Sequence, residues 1–197
     1  MFSGRLRLNR RSRSAALAVS AAALTALAPS SASAIERQHH VGLAPQLAML
    51  SIKDKSTVSV GGGGAIHYTY GLTDQWNLVV EGTSAIVARE EKIESAETPR
   101  NRPTAVDSGS VGASYVIDIL RWVPYIGVMG GVYRLSGGTL PEQLFLPGLA
   151  LTAGIDYQLS RSFAVGVGAR QHFMLSKIET YPSYSTFVLR FEYMWGY

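Results

Sequence analysis

The sequence predicts an all-β protein, an eight-stranded antiparallel up-and-down transmembrane β-barrel preceded by a cleaved signal peptide. Three observations support this prediction. Apolar and polar residues alternate in eight segments, short turns and long polar loops alternate between those segments, and the N-terminal residues have the composition of an export signal. Nothing in the length of 197 residues requires a second domain.

The N-terminus has the three parts of a secretory signal peptide. Five arginines lie between Arg5 and Arg13, an apolar segment follows at 15–28, and small residues at 31–34 fit a signal peptidase site. The apolar segment is shorter than the ~20 residues that a transmembrane helix needs. We therefore predict a signal peptide over 1–34, cleavage after Ala34 and a mature barrel domain over 35–197.

The positive charge of the chain is concentrated in this signal. The formal net charge is +4, from 18 Lys and Arg against 14 Asp and Glu. Without the five N-terminal arginines, 13 basic side chains face the 14 acidic ones, so the mature domain is nearly neutral. We expect no nucleic-acid partner, because no clustered basic face remains. The absence of cysteine excludes disulfides and thiolate metal sites.

Alternation with a period of two is the dominant pattern of the mature chain. In the last segment Phe187, Leu189 and Phe191 share one face, whereas Arg190 and Glu192 share the other. A period of two places alternate side chains on opposite sides of a sheet. The pattern predicts eight strands, at about 39–50, 58–72, 76–88, 107–119, 123–135, 148–159, 163–175 and 184–197.

The connections and the aromatic residues add to this pattern. Short turns are predicted at 73–75, 120–122 and 160–162, and longer polar loops at about 51–57, 89–106, 136–147 and 176–183. Outer-membrane barrels have short periplasmic turns, long extracellular loops and two aromatic girdles. We expect one girdle at the short-turn ends (Tyr70, Trp76, Trp122, Tyr157, Phe163, Trp195, Tyr197) and one at the loop ends (Tyr133, Phe145, Phe173, Tyr184, Phe187).

These features resemble the small eight-stranded outer-membrane barrels, the class of the OmpA transmembrane domain, OmpX and related β-barrel-domain proteins. The segments at 70–76, 124–127 and 191–197 carry the likeness. The resemblance implies a location in the outer membrane of a Gram-negative cell. It also implies outer-membrane lipid, lipopolysaccharide and the barrel assembly machinery as partners. The assembly signal would be the alternating aromatics Phe191, Tyr193, Trp195 and Tyr197.

The predicted lumen face holds most of the polar residues that could have a function. They are His67, Glu81, Asp118, Asp156, Arg170, His172, Arg190 and Glu192. An eight-stranded barrel is just wide enough to be filled by its own side chains, and charges buried there must pair. We predict a structural network in which Arg170, Arg190 and Glu192 hold each other and His67 pairs with Glu81. The alternative is a narrow proton- or ion-conducting path.

The leading functional hypothesis is a monomeric structural or surface-interaction protein whose loops are available to an extracellular ligand. The alternatives are a narrow pore, a lipid-modifying barrel enzyme and a soluble ligand-binding barrel. A hydrolytic site needs a histidine, a hydroxyl and an acid in mutual reach. His172 is close in sequence to Ser176, Ser183, Ser185 and Glu179, but no His-x-Ser arrangement is present. We therefore predict no enzyme and no cofactor. We also predict no metal site, since the adjacent His39 and His40 would point to opposite faces of a strand.

Overall fold

A computed structural model describes residues 37–53, 57–87, 102–117 and 121–196. The predictions for Ala34, Asp118, Tyr197 and most of the loop at 89–106 lie outside these residues. The strands are β1 (His39–Ile52), β2 (Thr57–Gly71), β3 (Trp76–Val87), β4 (Ala105–Val116), β5 (Trp122–Ser136), β6 (Leu144–Gln158), β7 (Phe163–Met174) and β8 (Ser183–Trp195). A short 3-10 helix (Leu175–Lys177) follows β7.

The strands form one closed antiparallel barrel. Each strand pairs with the next, and β8 pairs with β1 to close the sheet. The predicted eight-stranded antiparallel up-and-down barrel is therefore confirmed. The hairpins reach further on the loop side than the sequence predicted, because the ladders continue to Ala105 with Ser136 and to Leu135 with Leu144. No helix in the described part of the chain is long and apolar enough to cross a membrane.

The stagger of the strands decides which residues face each other across the lumen. A path that follows the pairing register around the barrel from His39 on β1 reaches Ser185 on β8 and returns to β1 at Met49. That position is ten residues further along the strand than the start. Such a shear requires the strands to tilt, by about 35–45° in closed barrels.

The outer wall of the barrel is apolar. Large side chains on all eight strands point outward and are exposed, among them Leu43, Ile66, Val80, Val111, Ile126, Leu151, Val167 and Leu189. Monomeric soluble proteins rarely expose contiguous apolar patches larger than a few hundred Å². A wall of this kind is the surface that transmembrane barrels present to lipid.

The girdle at the short-turn end is present, whereas the second predicted girdle is partly wrong. Ring pairs form along the short-turn edge of the outer wall, with Trp76 beside Tyr115, Trp122 beside Tyr157 and Phe163 beside Tyr193. At the loop end, Tyr133 and Tyr184 are buried inside the barrel. Both residues occupy inward positions of the alternation. Their place near the loop end was therefore not enough to predict that they face the lipid.

Candidate functional site in the barrel lumen

The inward positions of the strands bring the predicted polar residues into the lumen. His67 lies on β2, Glu81 on β3, Asp156 on β6, Arg170 and His172 on β7, and Arg190 and Glu192 on β8. Six of these seven are buried by whole-residue exposure, and the side chain of Arg190 is 11% exposed. The alternation that sends Leu189 and Phe191 outward sends Arg190 and Glu192 inward.

Among the described carboxylates of the lumen, Glu192 has the most hydrogen-bond and ion-pair partners. Its Oε1 accepts a hydrogen bond from Nε2 of His67 at 2.8 Å, and its Oε2 lies 3.1 Å from Nδ1 of His40. Arg190 adds an ion pair to Oε1. Glu192 therefore joins β1, β2 and β8 through a single side chain, because Gly42 on β1 pairs with His67 on one side and with Glu192 on the other.

Arg190 joins this group to β5 and β6. Its Nη1 lies 3.4 Å from Oδ2 of Asp156, and its guanidinium carbon lies 4.3 Å from the ring centroid of Tyr125. A guanidinium over an aromatic face is attracted by the ring quadrupole. The Arg190 guanidinium thus contacts two carboxylates and one aromatic ring.

The second ion pair crosses the barrel. Arg170 on β7 pairs with Glu81 on β3, and their side chains are only 4% and 2% exposed. This corrects two sequence-based pairings. Arg170 does not join Arg190 and Glu192, and His67 bonds Glu192 although it lies opposite Glu81 in the register of β2 and β3. The reason is geometric, because charges inside a narrow barrel meet across the lumen as well as along the wall.

His172 belongs to a separate polar layer nearer the loop end. Its Nδ1 lies 2.9 Å from the Tyr133 hydroxyl and its Nε2 lies 3.2 Å from the Thr186 hydroxyl. The serines that sequence proximity brought into consideration lie elsewhere. Ser183 and Ser185 bond the Gln171 side chain instead. Both ring nitrogens of His172 thus contact hydroxyl groups inside the barrel. Ser183 and Ser185 are therefore not placed to act as nucleophiles with His172 as their base.

A cluster of apolar side chains, the apolar plug, fills the lumen on the loop side of the ion-paired residues. We use that name for the buried cluster of Ala48, Leu50, Ile52, Ala85, Val87, Val106, Tyr133, Leu135, Leu146, Met174, Tyr181 and Tyr184. Most of these residues lie at the loop ends of their strands, and Tyr181 comes from the loop after the 3-10 helix. The backbone N–H of Lys53 bonds the carbonyl of Thr180, which ties that loop to β1. The lumen is therefore charged on the short-turn side, whereas on the loop side the apolar plug packs against the polar layer of His172.

A cavity of about 50 Å³ remains within the charged half. Its lining includes the side chains of both ion-pair groups together with Thr69, Asn77 and Ser114. A water molecule needs ~10–15 Å³ by this measure and two to four polar partners. The cavity therefore has room for a few water molecules. Within the described ranges, no group of three or more His, Asp and Glu side chains is arranged to hold a metal ion.

The lumen contains functional candidates that sequence reasoning missed. His40 contacts Glu192, Tyr125 contacts Arg190, and Gln38 contacts His40. The sequence had suggested only a metal-binding role for His40. His39 does point the other way, as expected, and its ring stacks on Trp195 at 5.4 Å. The inward parity shared with Gly42 and Ala44 is the signal that could have placed His40 in the lumen.

Three solved structures have a similar fold. Neisserial surface protein A is 16% identical with a TM-score of 0.60, over 81% of this chain and 97% of that one. OprG from Pseudomonas aeruginosa is 11% identical with a TM-score of 0.56, over 82% and 97%. This chain has the fold of the small outer-membrane β-barrels. Ail of Yersinia pestis also shares it, at 16% identity and a TM-score of 0.53, over 81% and 99%. The sequence matches no protein-family model and no curated protein.

Proposed function

We propose that this protein is an integral outer-membrane barrel that serves as a closed, non-catalytic anchor for its surface loops. The observation that carries this proposal is the apolar plug on the loop side of the lumen. Ions cross a barrel only through a continuous polar or aqueous path, and closely packed Leu, Ile, Val and Met side chains interrupt such a path. The fold shared with solved outer-membrane barrels supports the location.

The polar residues of the lumen support the same proposal. Glu81 and Glu192, both buried, are paired with guanidiniums, as a stabilising network requires. His172 contacts two hydroxyls of the barrel interior, while Ser176 and Glu179 are exposed in the loop that follows. We therefore favour an anchor over a lipid-modifying enzyme.

The proposal extends to partners. The apolar outer wall and the aromatic ring pairs at its short-turn edge fit a lipid bilayer. In the outer membrane, the lipids that contact this wall would include lipopolysaccharide. Phe191, Tyr193 and Trp195 are exposed on the outer face of β8, where the assembly machinery would read them before the barrel closes. We propose a monomer whose loops bind an extracellular ligand.

Planar-bilayer recording tests the closed lumen. We expect the purified wild-type barrel to show no steady single-channel steps. A variant with Leu50→Ala, Leu135→Ala and Met174→Ala thins the plug and should leak ions. A matched variant with Leu47→Ala, Val132→Ala and Phe173→Ala removes similar volume from the outer wall and should stay silent. Reproducible steps from the wild-type protein would replace the anchor with a pore.

A further inference from the structure

The 3-10 helix after β7 exposes two apolar side chains at the loop end of the barrel. Leu175 is 53% exposed and Ile178, at the end of the helix, is 45% exposed, whereas Met174 just before them is buried. Residues three apart lie above one another on a 3-10 helix. Leu175 and Ile178 therefore share one apolar face of this turn. The polar Ser176 and Lys177 occupy its other faces.

This apolar face continues the outer wall of the barrel. Met174 still has extended backbone angles (φ −87°, ψ 92°) and is buried in the lumen, so Leu175 takes the next outward position of β7. Gly148 of β6 pairs with Met174, which places the turn beside the loop end of β6. Phe145 points outward there and is 64% exposed. The turn and the end of β6 therefore extend the apolar wall toward the loops.

The turn is held in place from its buried side. The backbone N–H groups of Thr180 and Tyr181 donate to the carbonyl of Lys177, at 3.0 and 2.8 Å. The side chain of Tyr181 is 2% exposed and belongs to the apolar plug. Because Tyr181 occupies the inner side of this loop, the two apolar side chains of the turn stay on its outer side.

The height of the turn matches the loop-side surface of a membrane. Phe163, the first residue of β7, belongs to the aromatic girdle at the short-turn end, and Leu175 lies twelve residues further along the chain. At about 3.3 Å per residue and a strand tilt of about 35–45°, the rise between them is about 28–32 Å. The apolar band of a transmembrane barrel is about 25 Å tall. Leu175 therefore lies just beyond the hydrocarbon, at the level of the lipid headgroups.

We propose that Leu175 and Ile178 form a lipid-binding surface that anchors the loop after β7 in the headgroup region of the outer leaflet. The occupant is membrane lipid, because this surface continues the lipid-facing wall and lies at headgroup height. An amphipathic segment at that level buries its apolar face at the boundary of headgroups and acyl chains. This lipid contact rests on the proposed anchor in the outer membrane, and it leaves this part of the loop to lipid rather than to an extracellular ligand.

Spin labels on the turn test the lipid contact. The chain has no cysteine, so Leu175→Cys, Ile178→Cys and the matched control Ser176→Cys each carry a single nitroxide. In phosphatidylcholine vesicles, oxygen relaxes labels in lipid, whereas a soluble nickel chelate relaxes labels in water. We expect the ratio of oxygen to nickel relaxation to be several-fold higher at positions 175 and 178 than at 176. Equal ratios at the three positions would overturn the proposal.

A label in the middle of the outer wall distinguishes a failure of this lipid contact from a failure of the anchor. Leu151 is an outward residue of β6, so Leu151→Cys supplies the lipid reference. A lipid-like ratio at 151 with water-like ratios at 175 and 178 would contradict the lipid contact alone. A water-like ratio at 151 would contradict the membrane-spanning barrel as well.

Methyl NMR of the wild-type barrel gives a second readout that needs no substitution. In phosphatidylcholine nanodiscs, lipids that carry a headgroup nitroxide should broaden the methyl signals of Leu175 and Ile178. A water-soluble gadolinium chelate should leave these signals sharp. The opposite pattern would place both side chains in water, or beneath a protein partner where one is added, and would refute the lipid-binding surface.

Discussion

Arg170 and Glu81 form a buried ion pair between β7 and β3, two strands that are not neighbours in the sheet. The pair therefore connects opposite parts of the barrel wall through the lumen. Glu192, by contrast, contacts side chains of the neighbouring strands β1, β2 and β8, namely His40, His67 and Arg190. The described charges of the lumen therefore form one ion pair across the barrel and one group along its wall.

Removing one partner of the cross-lumen pair should strongly destabilise the barrel. Glu81→Gln leaves the Arg170 guanidinium buried without its carboxylate, and a broken buried pair costs about 3–5 kcal/mol. Urea unfolding in lipid vesicles measures the change in unfolding free energy. The control is Asp107→Asn, which breaks the more exposed pair of Asp107 with Arg134 at 2.7 Å. That variant should change the unfolding free energy by about 1 kcal/mol or less. Equal losses in the two variants would contradict the lumen ion pair.

Replacing both partners of the same pair should recover most of the loss. A Glu81→Leu, Arg170→Met double variant removes both charges and keeps similar volume, and apolar replacement of a buried ion pair is often neutral or stabilising. We expect its unfolding free energy to lie closer to the wild type than to Glu81→Gln. A double variant less stable than the single one would mean that Arg170 has another essential partner.

The signal peptide should be removed during export. We expect the membrane-fraction protein to begin at Ile35, because cleavage follows the small residues ending at Ala34. Intact-mass measurement of the purified protein decides this. Retention of the arginine-rich segment would refute the export route inferred from the sequence.

The long loop at 89–106 should face the outside of the cell. It follows β3, whereas the turn at 160–162 lies at the opposite end of the barrel. An epitope tag at Ser95 should therefore bind antibody on intact cells, and a tag at Ser160 should bind only after the cells are opened. The reverse labelling would invert the topology.

The alternation of β8 explains how much of the site the sequence could predict. Arg190 and Glu192 share a parity opposite to Leu189 and Phe191, so their inward position followed from the pattern. The structure also has the predicted contact of Arg190 with Glu192. The pairing of Glu81 with Arg170 was not predicted, because it depends on the ten-residue stagger of the closed sheet, which alternation leaves open. The register of His67 opposite Glu81 was correct, but register describes neighbouring backbones and not the carboxylate that a long side chain reaches.

The sequence pattern also failed to predict several buried residues of the apolar plug. Tyr133 and Tyr184 were assigned to an outer girdle from their position near the loops, although their parity matched the inward residues. Tyr181 lies in a loop, where no periodicity exists to predict that its side chain is buried. Local patterns thus predicted the wall of the barrel, and the contents of the lumen required the closed structure.

Cysteine labelling along β8 tests the central claim, a membrane-spanning barrel with an apolar outside and a filled inside. The chain has no native cysteine, so single substitutions at Thr186, Phe187, Val188 and Leu189 report one position each. In lipid vesicles, a membrane-confined maleimide should react at the outward Phe187→Cys and Leu189→Cys and leave the buried Thr186→Cys and Val188→Cys unmodified. Labelling at all four positions, or only at the two inward ones, would contradict the account.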